Sequence, residues 1–193
     1  VKSLNFKDKG VNFTIGHFGL YNKLRDHSFF WKALKKISRE NSDFSNSLKF
    51  LFAGEVHDQF FNILKNYKFD HKLDYCEQLS HHDSINSMMR CDLLLVTQGQ
   101  TKLVDGRLPA KFFEYLGARR PILAIGQKNS DLHKIIAKIS YAWFVDFDNS
   151  TLLYDTILKI YQLSKIETNF NDDISYFSRE VHAKKLINLI NHL

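Results

Sequence analysis

Short apolar runs and amphipathic stretches alternate along this chain. Phe13, Ile15 and the residues between them begin a first strand, predicted over 13–17. A helix follows over 28–39, because Phe29, Phe30, Ala33, Leu34 and Ile37 share one face while Lys32, Lys35, Lys36 and Arg39 face water. Residues 48–53 form an apolar run broken only by Lys49, the pattern of a strand buried on both faces. A short helix over 58–66 turns Phe60, Phe61 and Leu64 inward, and a third strand covers 72–76. Asp83 caps a helix ending at Arg90, and residues 92–96 make a fourth strand. Pro109 suits a helix start, and that helix runs to Leu116 and stops at Gly117. A fifth strand covers 121–125, and Ser130 caps a helix over 131–139. A sixth strand, 143–147, includes Trp143. Asn149 or Ser150 caps a longer helix ending near Leu163. The C-terminal stretch 174–193 is mostly helical, with Phe177, Val181, Leu186 and Ile190 among its buried positions.

Six alternations of strand and helix predict right-handed βαβ units around a parallel sheet. The expected fold is α/β: one Rossmann-like, doubly wound domain over 1–193, with about six parallel strands and helices on both faces. Ligands of such sheets bind at the C-terminal ends of the strands. The loops expected there are 16–25, 54–58, 77–83 and 97–109.

Composition narrows this further. A chain of 193 residues with 44% hydrophobic and 25% charged residues has the makings of one packed core. Two cysteines, Cys76 and Cys91, build no disulfide framework, so a reducing, cytoplasmic setting is expected. The start at Val1 is neither an initiator Met nor a signal peptide, which suggests a piece of something longer. The net charge is +6, and its placement is uneven: residues 1–50 carry ten Lys/Arg against four Asp/Glu, and residues 101–150 carry eight against five. Three readings stand: a solvated surface, an anion site built from both segments, or a patch facing nucleic acid or an acidic membrane. No nucleic-acid recognition module is visible, so no nucleic-acid partner is expected.

The richest segment is Gly106-Arg107-Leu108-Pro109-Ala110-Lys111-Phe112-Phe113-Glu114-Tyr115-Leu116-Gly117. It sets a helix N-terminus after a loop that follows a buried strand, where free N–H groups favour an anion. Lys111 and Glu114 lie three apart on one face. They are either a surface ion pair worth a few tenths of a kcal/mol or a phosphate cation beside a ribose acceptor. His17, at the end of the first strand, is either a satisfied core residue or a ligand contact. Cys76, His81, His82 and Cys91 match no common zinc spacing, so no metal is expected. P-loop, dinucleotide and nucleophile-elbow motifs are absent.

The same segment resembles the Pro-x-Lys-x-x-Glu-Tyr-Leu…Pro-Ile-Leu block of retaining glycosyltransferases with the GT-B fold, in the large group 1 family (family 4-like) that includes sucrose synthases. Leu73-Asp74-Tyr75-Cys76 through Cys91-Asp92-Leu93-Leu94-Leu95, Phe18-Gly19-Leu20, Phe52-Ala53-Gly54-Glu55 and Tyr176-Phe177-Ser178-Arg179-Glu180 fall in the family's order. The resemblance covers most of 11–193 and corresponds to the C-terminal, donor-binding half of such an enzyme. It implies a UDP- or GDP-sugar as donor substrate, no cofactor, an N-terminal acceptor domain outside this chain, and hexosyl transfer in polysaccharide, glycolipid or cell-envelope glycan synthesis. A peripheral contact with the inner membrane face is a further expectation. By the same resemblance, Glu114 bonds the donor ribose, and the family's earlier Glu falls at Gly106, beside Asp105. Arg25, or Lys23, holds the diphosphate; Lys111 or Arg107 supplies the second cation. Gly19 allows close approach of the phosphates, and the segment with Glu77 and Leu79 flanks the base. Arg25, Lys111 and Glu114 are thus the expected catalytic residues. The competing reading is a non-catalytic nucleotide- or phosphate-binding module. The piece alone is expected to show no transferase activity, because the acceptor half lies outside it.

Overall fold

The structure is a computed structural model, and it describes residues 12–101, 108–166 and 170–191. Six parallel strands form one sheet: β1 (Phe13–Phe18), β2 (Leu48–Ala53), β3 (Leu73–Cys76), β4 (Leu93–Thr97), β5 (Ile122–Gly126) and β6 (Ala142–Asp146). Their spatial order is β3-β2-β1-β4-β5-β6, so the order reverses between β1 and β4. Central strands β4 and β5 are buried at every position, which is why they read as unbroken apolar runs. Edge strands β3 and β6 are mostly half-buried.

Among the described residues, eight α-helices accompany the sheet: α1 (Ser28–Glu40), α2 (Ser42–Ser47), α3 (Phe60–Tyr67), α4 (His81–Arg90), α5 (Ala110–Ala118), α6 (Asp131–Ile136), α7 (Ser150–Ser164) and α8 (Arg179–Asn191). One face of the sheet meets α1, α2, α3 and α7 in an aromatic core built on Phe13, Trp31, Phe44, Phe50, Phe52 and Phe60. The other face meets α4, α5 and α6 through a mixed layer in which Phe112, Tyr115 and Tyr141 stand beside the smaller Ala53, Cys91, Ala118 and Ala124. Gly16 makes the second layer possible: a Cβ there would stand 2.5 Å from the Cys91 Sγ.

Several expectations need correction. The cap of α4 is Ser80, whose hydroxyl accepts the Asp83 N–H at 3.1 Å and donates to the Asp83 carboxylate at 2.7 Å. Asp83 is thus the third helical residue, and its carboxylate accepts from the capping hydroxyl. Gly117 lies inside α5, and the left-handed cap is Arg119, with φ 50°. Helix α6 ends at Ile136, three residues early. Phe61 and Ile190 are exposed, not buried, and Trp31 replaces Phe29 as the buried aromatic neighbour of Phe30. The C-terminal stretch is a short 3-10 turn, Ser175–Phe177, followed by α8. Lys35 and Lys36 leave the solvated face in part, since their ammonium groups sit over the rings of Phe69 and Tyr154.

Candidate functional site

The crevice to examine is the reversal point, where the loops after β1 and β4 leave the sheet in opposite directions. The first wall is the β1 loop. Gly19 has φ 107°, and its N–H donates to the Ala53 carbonyl at 2.7 Å. Gly54, with φ 124°, lies so close to the Gly19 backbone that any Cβ would collide with the Gly19 carbonyl. Two glycines therefore let the β1 and β2 loops touch backbone to backbone. The contact continues outward: Tyr21 N–H donates to Glu55 at 2.8 Å, and His57 N–H donates to Tyr21 at 3.1 Å.

Beneath this wall lies a polar hub. Asp26, with a side chain 5% exposed, accepts the Trp31 Nε1–H at 2.6 Å and the Tyr21 hydroxyl at 3.2 Å. Its other oxygen faces His57 Nε2 at 2.8 Å. A carboxylate only accepts, so Nε2 carries the proton. Burial and the Asp26 charge push the Tyr21 hydroxyl well above the usual phenol range. The hub holds the 3-10 turn Lys23–Arg25 from below, and Asn22 caps that turn through the Arg25 N–H at 3.2 Å. Arg25 itself is half-buried, and its guanidinium donates to the Leu20 carbonyl at 2.9 Å. Lys23 is exposed.

The second wall is the N-terminal turn of α5. Pro109 precedes it with no side-chain cap, and the Phe112 N–H donates to the Pro109 carbonyl at 2.9 Å. Lys111 Nζ donates to Glu114 Oε2 at 2.6 Å, with the two side chains 33% and 27% exposed. The surface-pair reading thus describes the resting arrangement. The same lysine reaches across the crevice: a Cβ on Gly19 would meet its Cγ at 3.6 Å. The structure therefore brings together Gly19, Lys111 and Glu114.

Other candidates stand apart. Glu77 is exposed after β3, and Leu79 packs against the second core, so its side chain is a core contact. Arg107, with Asp105 and Gly106, lies outside the described residues. His17 is 5% exposed, and burial pulls it down to about 4, so the neutral ring is its ordinary state. Cys76 and Cys91 are free thiols, and burial raises Cys91 strongly. Among the described residues no three metal-ligating groups gather, and no helix is long and apolar enough to cross a membrane. The sequence reading missed Asp26, His57 and Trp31 as a unit. The one available signal was polar residues in consecutive strand-end loops.

The strand order and the crevice define a Rossmann-like α/β domain of the kind that forms half of a GT-B fold. No family model matches the chain, and no curated protein matches its sequence. Solved glycosyltransferases share the fold. TarM superposes with a TM-score of 0.66 at 15% identity, covering 99% of this chain and 38% of TarM. A TarM variant of S. aureus, solved with fondaparinux, alpha-GlcNAc-glycerol and UDP, gives 0.59 at 15%, covering 86% of this chain and 32% of that one. The C-terminal domain of LpcC, a glycosyl transferase group 1 family protein from Francisella tularensis, gives 0.55 at 15%, covering 79% and 78%. The chain therefore spans under half of the full-length enzymes and most of an isolated C-terminal domain.

Proposed function

We propose that this chain is the donor-binding domain of a retaining glycosyltransferase, taking a UDP- or GDP-sugar in the crevice between β1 and β4. The supporting observation is the meeting of Gly19 with the Lys111–Glu114 pair at the sheet's reversal point. Fold likeness to glycosyltransferases, one of them solved with UDP, points the same way.

On this reading the diphosphate lies over Gly19, whose lack of a side chain leaves the backbone of the loop approachable. The α5 N-terminus and Lys111 face it from the other wall. Glu114 gives up Lys111 and accepts the ribose hydroxyls. Arg25, now on the Leu20 carbonyl, turns its remaining N–H groups to phosphate, with Lys23 as the outer cation and Arg107 as a further one. The segment around Glu77 lies beside the base. During transfer the bond from the anomeric carbon to the diphosphate breaks, and negative charge grows on the leaving oxygen. Fixed cations and helix N–H groups stabilise that charge more than the ground state. A second domain outside this chain supplies the acceptor, in polysaccharide, glycolipid or cell-envelope glycan synthesis at the inner membrane face.

Isothermal titration of the chain with UDP, GDP and NAD tests the reading. Binding of UDP or GDP, with no sugar transfer by this piece alone, is expected. Binding of NAD but of neither nucleoside diphosphate would sink it.

A further inference from the structure

The sheet is interrupted directly below the crevice. β1 and β4 pair only through Ile15–Leu93 and Gly16–Leu94, whereas β1 and β2 stay paired up to Phe18–Ala53. In a regular parallel ladder every second residue supplies the rungs to one neighbour. After the Gly16–Leu94 pair, the next rung would be the Phe18 N–H on the Leu95 carbonyl. That bond is replaced. The Phe18 N–H donates instead to the Tyr115 hydroxyl at 2.8 Å. The Leu95 carbonyl faces His17 Nδ1 at 3.1 Å. Since a carbonyl only accepts, the proton of the neutral imidazole sits on Nδ1.

The two side chains arrive from opposite faces. Tyr115 belongs to α5, is 1% exposed, and meets the Phe18 ring edge-on at 6.1 Å. His17 lies in the aromatic layer, 5.0 Å from the Tyr21 ring and 5.4 Å from Phe52. Each satisfies one backbone group that the missing rung would otherwise leave buried and unmade. Burial keeps His17 neutral at ordinary pH, so the Nδ1–H bond persists there. Tyr115 also follows Glu114 directly and lies one turn after Lys111, so its bond to Phe18 ties the second wall to the first.

We infer that Tyr115 and His17 are positioning residues that hold the sheet unzipped by one rung, keeping the Gly19 wall and the Lys111–Glu114 wall apart for a nucleoside diphosphate. The inference rests on the nucleotide reading of the crevice and extends it to two residues that touch no ligand. Removing both hydrogen-bonding groups lets the Phe18 N–H reach Leu95, and the crevice closes from its floor.

The test uses labelled chain and nuclear magnetic resonance coupling across the hydrogen bond from the Phe18 nitrogen to the Leu95 carbonyl carbon. The parent shows no such coupling. The double variant Tyr115→Phe with His17→Leu shows it, keeps its thermal midpoint within a few degrees, and binds UDP or GDP about tenfold more weakly or worse. Tyr115→Phe alone, the safer variant for folding, weakens binding about threefold and speeds exchange of the Phe18 amide. Coupling in the parent, or a zipped double variant that binds nucleotide like the parent, would overturn the inference. Loss of thermal midpoint with unchanged affinity in the folded single variant marks both residues as merely structural and overturns it too. A parent that binds neither nucleotide fails the site reading and removes the ligand from the inference, while the coupling still decides the rung.

Discussion

The two walls of the crevice are built differently. The β1 wall is fastened along its length, through backbone bonds from Gly19 to Ala53 and from Tyr21 to Glu55, and through Asp26 below. The side chains of Asp26 and Tyr21 already have buried partners. The α5 wall has no side-chain cap, and its two charged groups bond each other in partial contact with water. A ligand meeting the first wall finds a fixed surface and need not order it. A ligand meeting the second must exchange one ion pair for new bonds, at small cost because that pair is partly solvated. One wall fixes position and the other responds.

The sharpest way to break this contrast is to remove the hub. Asp26→Ala strips the acceptor from Trp31 Nε1, the Tyr21 hydroxyl and His57 Nε2, which tie the β1 loop to α1 and to the β2 loop. Buried donors left unmade cost ~1–3 kcal/mol each, so with three of them stripped a loss of at least about 3 kcal/mol is expected from urea unfolding. Asp26→Asn keeps one acceptor oxygen and should lose less. A loss under about 1 kcal/mol for the alanine variant would show that the backbone contacts alone hold this wall.

Acid is the next largest perturbation, and it acts on the floor. His17 titrates at about 4 in the folded chain against an ordinary 6.5. Between those values the unfolded chain binds more protons than the folded one, so stability falls as pH drops from about 6.5 towards 4 and the contribution levels off below that. The shift corresponds to about 3 kcal/mol across the window. Burial lowers His27 as well, which adds in the same direction. Urea midpoints at about pH 7 and about pH 4.5 should differ less in His17→Leu than in the parent. Equal pH dependence in both would place the acid sensitivity elsewhere.

How far the site was legible follows from the same contrast. Lys111 and Glu114 stand three apart in sequence, so helical periodicity alone puts them on one face. Asp26 and His57 are 31 residues apart, and only the parallel pairing of β1 with β2 makes them neighbours. Strand β2 was readable because burial on both faces leaves a continuous apolar run. Helix α2 was not, since its sequence Ser-Asp-Phe-Ser-Asn-Ser is polar apart from one residue. It forms because Asn41 caps it through the Phe44 N–H at 2.9 Å and because Phe44 packs against Phe13 and Tyr161, 5.7 and 5.0 Å between ring centres. Gly117 misled for a related reason. Glycine commonly ends helices, yet here the chain turns only at Arg119, whose guanidinium is held by the Phe170 carbonyl at 2.8 Å. The missing rung between β1 and β4 left no local trace, because Phe18 and Tyr115 are 97 positions apart.

The smallest expected effect on stability falls on the responsive wall, and there it separates structure from binding. Glu114→Ala removes a partly exposed i, i+3 ion pair, so a few tenths of a kcal/mol is the expected change in unfolding free energy. The same change frees Lys111 and removes the acceptor assigned to the ribose. If Glu114 contributes only to the helix surface, nucleotide affinity stays level or rises, because Lys111 no longer has to leave a partner. If it bonds ribose hydroxyls, affinity falls about tenfold, in line with charge-assisted hydrogen bonds worth ~1.5–3 kcal/mol. Titration calorimetry beside a thermal melt on one sample gives the two quantities together. Equal losses in both would mean that the second wall is as structural as the first, and the contrast between them would fail.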